Sequence, residues 1–271
     1  MIAGRPLARS RGAPRERLRP FGAAVRDALH GPRRVWAFNG ALVLTCTLVW
    51  AFALDNFGNP AFVHGPYLSW WALALAFFVA EVFVVHLQFR KQAHTLSLTE
   101  VGLTLGLLLA APAALLIGQL VGTLVALTVT RWKSQRQLVK FAFNLAELPL
   151  CSGIALVIFR SVATPGDSAP HIWALVLFAC AVAHVLGILL VSAVIAIAEE
   201  RFHAPQLLRT LLTSTIGALA TASLGLAVVE LLEARPLAVV LLIVPVLACV
   251  AAFRGYMEQR EQREHVEFLY E

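Results

Sequence analysis

The chain has 271 residues, of which 59% are hydrophobic and only 14% charged. A soluble domain carries nearer a quarter charged residues, so an ordinary water-soluble enzyme or binding module of this length is excluded. The net charge of +6 does not indicate a nucleic-acid partner, because the basic residues sit in a leading segment and beside apolar runs, the pattern of cytoplasmic loops near anionic lipid.

Met1–Arg34 is rich in Arg, Ala and Pro, holds nine of the 22 basic residues and has no apolar core. It reads as a disordered basic cytoplasmic tail, not as a secretory signal. Apolar runs then recur at lengths suited to a hydrocarbon core about 30 Å thick. Val35–Leu54 is the first expected span, and Asp55–Ser69 a loop marked by Gly58, Pro60, Gly65 and Pro66. Trp70–Phe89 is the second, opened by an interfacial Trp70-Trp71 pair and closed by Arg90 and Lys91. Val101–Ala110 is short. It is either a thin span followed by a tight turn at Ala111-Pro112, or a re-entrant half-helix inside the bundle. Ala113–Thr130, Phe141–Phe159, Ile172–Ala198, Leu211–Val229 and Leu237–Phe253 complete the series.

Charge decides between the two readings of Pro112. With the tail in the cytoplasm and Pro112 as an outer turn, all but two of the 22 basic residues, Arg160 and Arg235, fall on the inner side. The expected fold is therefore an all-α polytopic membrane helix bundle of about eight transmembrane helices, with both termini cytoplasmic. Its domains are the tail 1–34, the bundle 35–253 and a cytoplasmic connector helix 254–271. In that connector, acidic and basic residues recur at helical spacing, as in Glu261 and His265. Phe253, Tyr256, Val266 and Leu269 are the candidate signal-relay positions, and Val266 and Tyr270, four apart with Leu269 beside them, outline a seam that would suit a homodimer.

Ionisable groups inside spans are expensive, about 2.5–3.5 kcal/mol for a central acid. The candidates for sensing or ligand binding are Glu81, His86, His94, Glu100, Asn144, Glu147 and His184. The charge-derived topology puts Glu81, His86, Glu100 and Glu147 in the inner half of the membrane and His184 near the midplane. Glu81 and His86 are five apart, so on one helix they would point about 140° from each other; any site must combine different spans. Three readings stand: a polar cluster that locks helix packing, a ligand- or proton-sensing cluster, and a metal site, the last lacking ligand spacing. No metal or other cofactor is expected. The four cysteines, Cys46, Cys151, Cys180 and Cys249, read as small packing residues. Asn39, Asn144 and Gln119 are placed to hydrogen-bond between helices, and Gly118/Gly122 and Gly102/Gly106 are small-residue faces for close packing. No nucleophile motif, catalytic carboxylate pair or nucleotide loop is present, so no enzymatic activity is expected.

The stretches RKQAHTLSLTEVGLTLGLLLAAP (Arg90–Pro112) and KFAFNLAELPL (Lys140–Leu150) resemble the multi-span N-terminal membrane sensor region (MASE-like) of actinobacterial GGDEF/EAL proteins, the diguanylate cyclases and phosphodiesterases. The matching residues are Ala93, His94, Thr95, Ser97, Leu98, Glu100, Phe143, Asn144, Leu145 and Ala146. The ending HVEFLYE resembles the helical connector that feeds GAF, GGDEF or HD-type output domains. The resemblance implies a sensory input module in a bacterial cytoplasmic membrane, passing the state of an unknown small ligand to an output domain in cis or in trans, in cyclic-di-GMP signalling. The family's catalytic motifs are absent, so no catalytic residue carries over. A small-solute transporter or substrate-binding membrane subunit is the alternative that the residues leave open, since polar intramembrane groups and a helix broken at Pro112 are features of transporters.

Overall fold

The computed structural model describes residues 33–58, 62, 67–82, 85–89, 92–96, 98–131, 138–199 and 204–240. Seven α-helices make up the described bundle: α1 (Arg33–Asn56), α2 (Trp70–Val82), α3 (Thr99–Leu109), α4 (Pro112–Arg131), α5 (Leu138–Val162), α6 (Ala169–Glu199) and α7 (Ala204–Ala234). A short 3-10 turn, Pro236–Val239, follows α7. Residues 1–32 of the expected tail and the connector 254–271 lie outside the described residues, as does most of the expected last span with Pro245 and Cys249; the tail's last two residues, Arg33 and Arg34, are instead the first of α1.

Five helices, α1, α4, α5, α6 and α7, are long and apolar enough to cross a membrane. α2 and α3 are not, with 13 and 11 residues against the roughly 20 that a span needs. The expected second span is thus corrected. Its helix ends at Val82, and Val85–Phe89 is a β-strand, β1, paired antiparallel with β2, Gln92–Leu96. β-branched Val and Thr with aromatic Phe suit a pleated backbone better than a helix interior.

Contacts between helices give their directions. α1 and α5 run parallel, since Asn39 Nδ2 donates to the Val139 carbonyl at 3.2 Å and, further along both helices, Trp50 Nε1 donates to the Pro149 carbonyl at 3.2 Å. α2 and α4 run parallel: Gly118 meets Trp70 and Leu73, and Gly122 meets Ala74 and Phe77. Ser152 Oγ donates to Gln119 Oε1 at 3.2 Å, tying α4 to α5; Arg160, near the end of α5, reaches Ala110 at the end of α3, from which α4 turns back at Pro112, so α4 and α5 run in opposite senses. α3 runs with α7 (Glu100 to Thr221, Thr104 to Gly225) and against α6 (Glu100 to His184, Thr104 to Cys180). The seven helices therefore alternate in direction along the chain, and Pro112 opens a true reversal. Its missing N–H and fixed φ suit a helix's first residue.

One end of the bundle carries Arg33, Arg34, Arg131, Lys140 and Arg209; the other carries Arg160 and Arg235. Arg160 is built into the fold. Its guanidinium donates to the Ala110 carbonyl at 3.5 Å and lies 5.6 Å from the centre of the Phe62 ring. It holds the α3–α4 turn, and this tertiary duty accounts for a basic residue at the otherwise poorly basic end. The main core gathers Leu73 and Phe77 of α2, Leu107 and Leu109 of α3, Leu115 and Leu116 of α4, Leu156 and Phe159 of α5 and Val176 of α6, all fully buried. Exposed apolar side chains such as Leu44, Leu48 and Phe52 on α1 and Leu208, Leu212 and Ile216 on α7 face outward, as a lipid-facing surface requires.

Candidate functional site

The polar groups of the interior collect around α6. His184 is its central residue. There Nδ1 lies 2.9 Å from Glu100 Oε1, a charge-assisted hydrogen-bond length. The second carboxylate oxygen of Glu100 accepts from Thr221 Oγ1 at 3.2 Å. Glu100 thus ties α3 to both α6 and α7. It sits in the first turn of α3, where the orphan N–H groups and the helix dipole favour a negative charge. One turn on, Thr104 Oγ1 meets Cys180 Sγ at 3.7 Å, and a methyl at Gly225 would lie 2.8 Å from Thr104 Cβ, so α7 can approach only because Gly225 has no side chain.

The topology read from charge placed Glu100 nearer the basic end than His184. The 2.9 Å contact puts them at one level, at the middle of α6. The reason is that Glu100 opens an 11-residue helix, and the residues before it, Gln92–Leu96, form a strand and not a further helical turn.

Glu147 forms the second part of the site. Its Oε1 accepts from the Cys151 thiol at 3.5 Å, and it lies where a methyl at Gly187, three residues beyond His184, would come within 2.6 Å. Glu81, at the end of α2, and His184 both act electrostatically on Glu147. The fold thus gathers three of the seven candidates, Glu100, Glu147 and His184, from three different helices, with Glu81 at the end of a fourth. Asn144 is half-buried one turn before Glu147 on α5. His86 and His94 lie on the hairpin, so the helical angle between Glu81 and His86 does not apply; the register pairs His86 with Thr95 and His94 with Leu87. Phe253, Tyr256, Val266 and Leu269 lie outside the described residues.

His184 Nε2 is buried with no hydrogen-bond partner among the described residues. Buried polar atoms are paired in the great majority of cases, so an unpaired one marks a place for a proton, a water or a ligand group. Among the described residues no group of three His, Cys, Asp and Glu side chains could hold a metal ion.

A separate polar knot lies between α4 and α5. Gln119 Nε2 donates to Thr123 Oγ1 at 3.3 Å and its oxygen accepts from Ser152. All three residues are buried and mutually bonded, the signature of packing glue. Residue-by-residue reading missed Thr221, Thr104 and Ser152, since a hydroxyl amid apolar residues satisfies its own helix's carbonyls and gives no pattern signal. It also treated Cys151 and Cys180 as bland, whereas each contacts a polar side chain. Cys46, Cys151 and Cys180 are free thiols.

No protein-family model, curated protein or solved structure matches the chain.

Proposed function

We propose that this protein is a membrane-embedded sensory input module of a bacterial cytoplasmic membrane, with Glu100, His184 and Thr221 as its sensing centre. The observation that carries the reading is the double tie made by Glu100. One carboxylate bonds α6 through His184 and α7 through Thr221. A change in the charge or occupancy of that carboxylate changes the packing of both helices, and α7 is the last long helix among the described residues. Buried ionisable groups at mid-depth are functional by default, because their insertion is unfavourable unless they serve a purpose. On the resemblance of Arg90–Pro112 and Lys140–Leu150, the output is an attached or separate domain of cyclic-di-GMP signalling.

The test is the full chain fused after Glu271 to a dimerisation-dependent reporter in a bacterial membrane. Glu100→Gln and Thr221→Val are expected to change the output, and insertions of one to four residues near Glu258 to modulate it with helical phase. Output indifferent to the site variants and to the insertions alike would defeat the sensory reading.

A small-solute transporter is the second reading, favoured by one specific feature. α2 and α3 are half-length helices, and α3 begins at mid-depth with an acid in its first turn, as the discontinuous helices of transporters do. Uptake into vesicles that falls in Glu100→Gln and Glu147→Gln would select it over signalling.

A further inference from the structure

His184 is bracketed by carboxylates. Glu100 of α3 bonds its Nδ1, and Glu147 of α5 lies one turn along α6, against Gly187. Other titratable groups on the packed helices are Glu81 at the end of α2, the Cys151 thiol, which donates to Glu147, the Cys180 thiol on α6, which meets Thr104, and Cys46 of α1.

When His184 is neutral with its proton on Nδ1, that proton is donated to an ionised Glu100 and the pair carries one net negative charge. Nε2 then presents a lone pair to a buried position with no donor. One proton added at Nε2 brings the pair to zero net charge, which a low-dielectric interior favours. It also turns Nε2 from an acceptor into a donor, and Glu147 is the carboxyl group that the neighbouring helix places one turn along α6, against Gly187. Thr221 reports the other side of the pair. Its hydroxyl has one proton and three acceptors in reach: Glu100 Oε2 at 3.2 Å, and the carbonyls of Gly217 at 3.2 Å and Ala218 at 3.0 Å on its own helix. With Glu100 ionised the hydroxyl serves α3; when Nε2 takes up its proton and the Nδ1 proton passes across the 2.9 Å bond to Glu100, both partners are neutral and the hydroxyl is released to α7.

We propose that Glu100, His184 and Thr221 form a proton-operated switch, in which uptake of a single proton from water transfers hydrogen bonds among α3, α5, α6 and α7. This rests on the sensory reading only in naming the proton as the stimulus; the switch itself is a property of the site.

The experiment is pH-difference infrared spectroscopy of the full chain in liposomes of neutral phospholipid, with imidazole nitrogens labelled for parallel NMR. The wild type is expected to show a buried carboxyl band that titrates together with one imidazole. Glu100→Gln is expected to remove the carboxyl band and displace the imidazole midpoint, and His184→Gln to remove the imidazole signal and displace the carboxyl midpoint. Thr221→Val keeps both groups and is expected to shift the common midpoint by several tenths of a pH unit. His171→Gln, at the start of α6 beside Asp167, is expected to leave the cluster's titration unchanged. If Glu100→Gln or His184→Gln does not fold, Thr221→Val decides. A titration indifferent to every cluster variant that folds overturns the switch. A normal titration with a pH-blind reporter fusion keeps the switch and rejects the sensory reading; a reporter responsive to another stimulus, with no cluster titration, does the reverse.

Discussion

α2 and α3 are the two short helices of the bundle, and they are held by opposite means. α2 lies on the glycine face of α4 with main chain against main chain: a methyl at Gly122 would come within 2.5 Å of the Ala74 carbonyl oxygen, and one at Gly118 within 2.9 Å of the Trp70 carbonyl oxygen. α3 is instead held at its start through side-chain hydrogen bonds, Glu100 to His184 and Thr221. The first arrangement is dry and has one solution, since backbone atoms cannot step aside. The second has several solutions, because a carboxylate, an imidazole and a hydroxyl exchange partners as protons move. A half-length helix needs support from its neighbours either way. The bundle supports one rigidly and the other switchably.

The comparison is most severely strained by Gly122→Leu. Its side chain collides with the Ala74 carbonyl and with Phe77 Cβ, and the expected loss is at the upper end of the ~1–3 kcal/mol typical of overpacking. Unfolding in mixed micelles would read it; near-wild-type stability would show that α2 is not fixed by close backbone approach. Ser152→Ala comes next. It leaves the buried Gln119 oxygen without its donor, with an expected loss of about 0.6–1.7 kcal/mol by the same assay, and an unaffected cluster titration, because this knot lies apart from His184.

Gly187→Ala probes the switchable side. The added methyl meets only Glu147 Oε1, the far end of a flexible side chain. The stability change is expected to be under about 1 kcal/mol, while the Glu147 carboxyl is displaced and its infrared band moves. A loss as large as that of Gly122→Leu would erase the distinction between the two sides.

The smallest effect is expected outside both regions, in the turn between α5 and α6. There Asp167 accepts from the Thr164 N–H at 2.9 Å and its hydroxyl at 2.7 Å, with His171 at 3.2 Å. The Thr164 backbone bond, then its hydroxyl bond, hold the Asp167 carboxyl below the ordinary aspartate range. A depressed carboxylate contributes stability that is fully present above its unfolded value and is lost as pH falls through the lower folded value. Asp167→Asn should therefore flatten a shallow acid-side decline in the thermal midpoint and leave neutral pH nearly unchanged.

Much of this was legible residue by residue. Apolar run lengths gave the five long helices, because a span's length is set by the hydrocarbon thickness and not by its neighbours. Small residues four apart announced the Gly118/Gly122 face, and Pro112 announced a reversal. The end of the second helix was not legible. Phe83 to Phe89 is as apolar as what precedes it, and apolarity does not distinguish a strand from a helix over so short a run. The polar site was legible only as an inventory. Its acids could be named as costly to bury, but nothing in their spacing couples Glu100 to a histidine 84 positions away.

By itself, then, the sequence determined that this is an apolar helical chain, how long its spans are and where its charges gather, since these follow from transfer free energies that act residue by residue. Tertiary structure alone decided that α3 begins at the middle of α6, that Glu100 meets His184 and Thr221 there, and that Arg160 secures the far turn. Those are pairwise contacts between distant segments. Their directional hydrogen bonds depend on the relative height of helices, a quantity fixed only when all of them pack together.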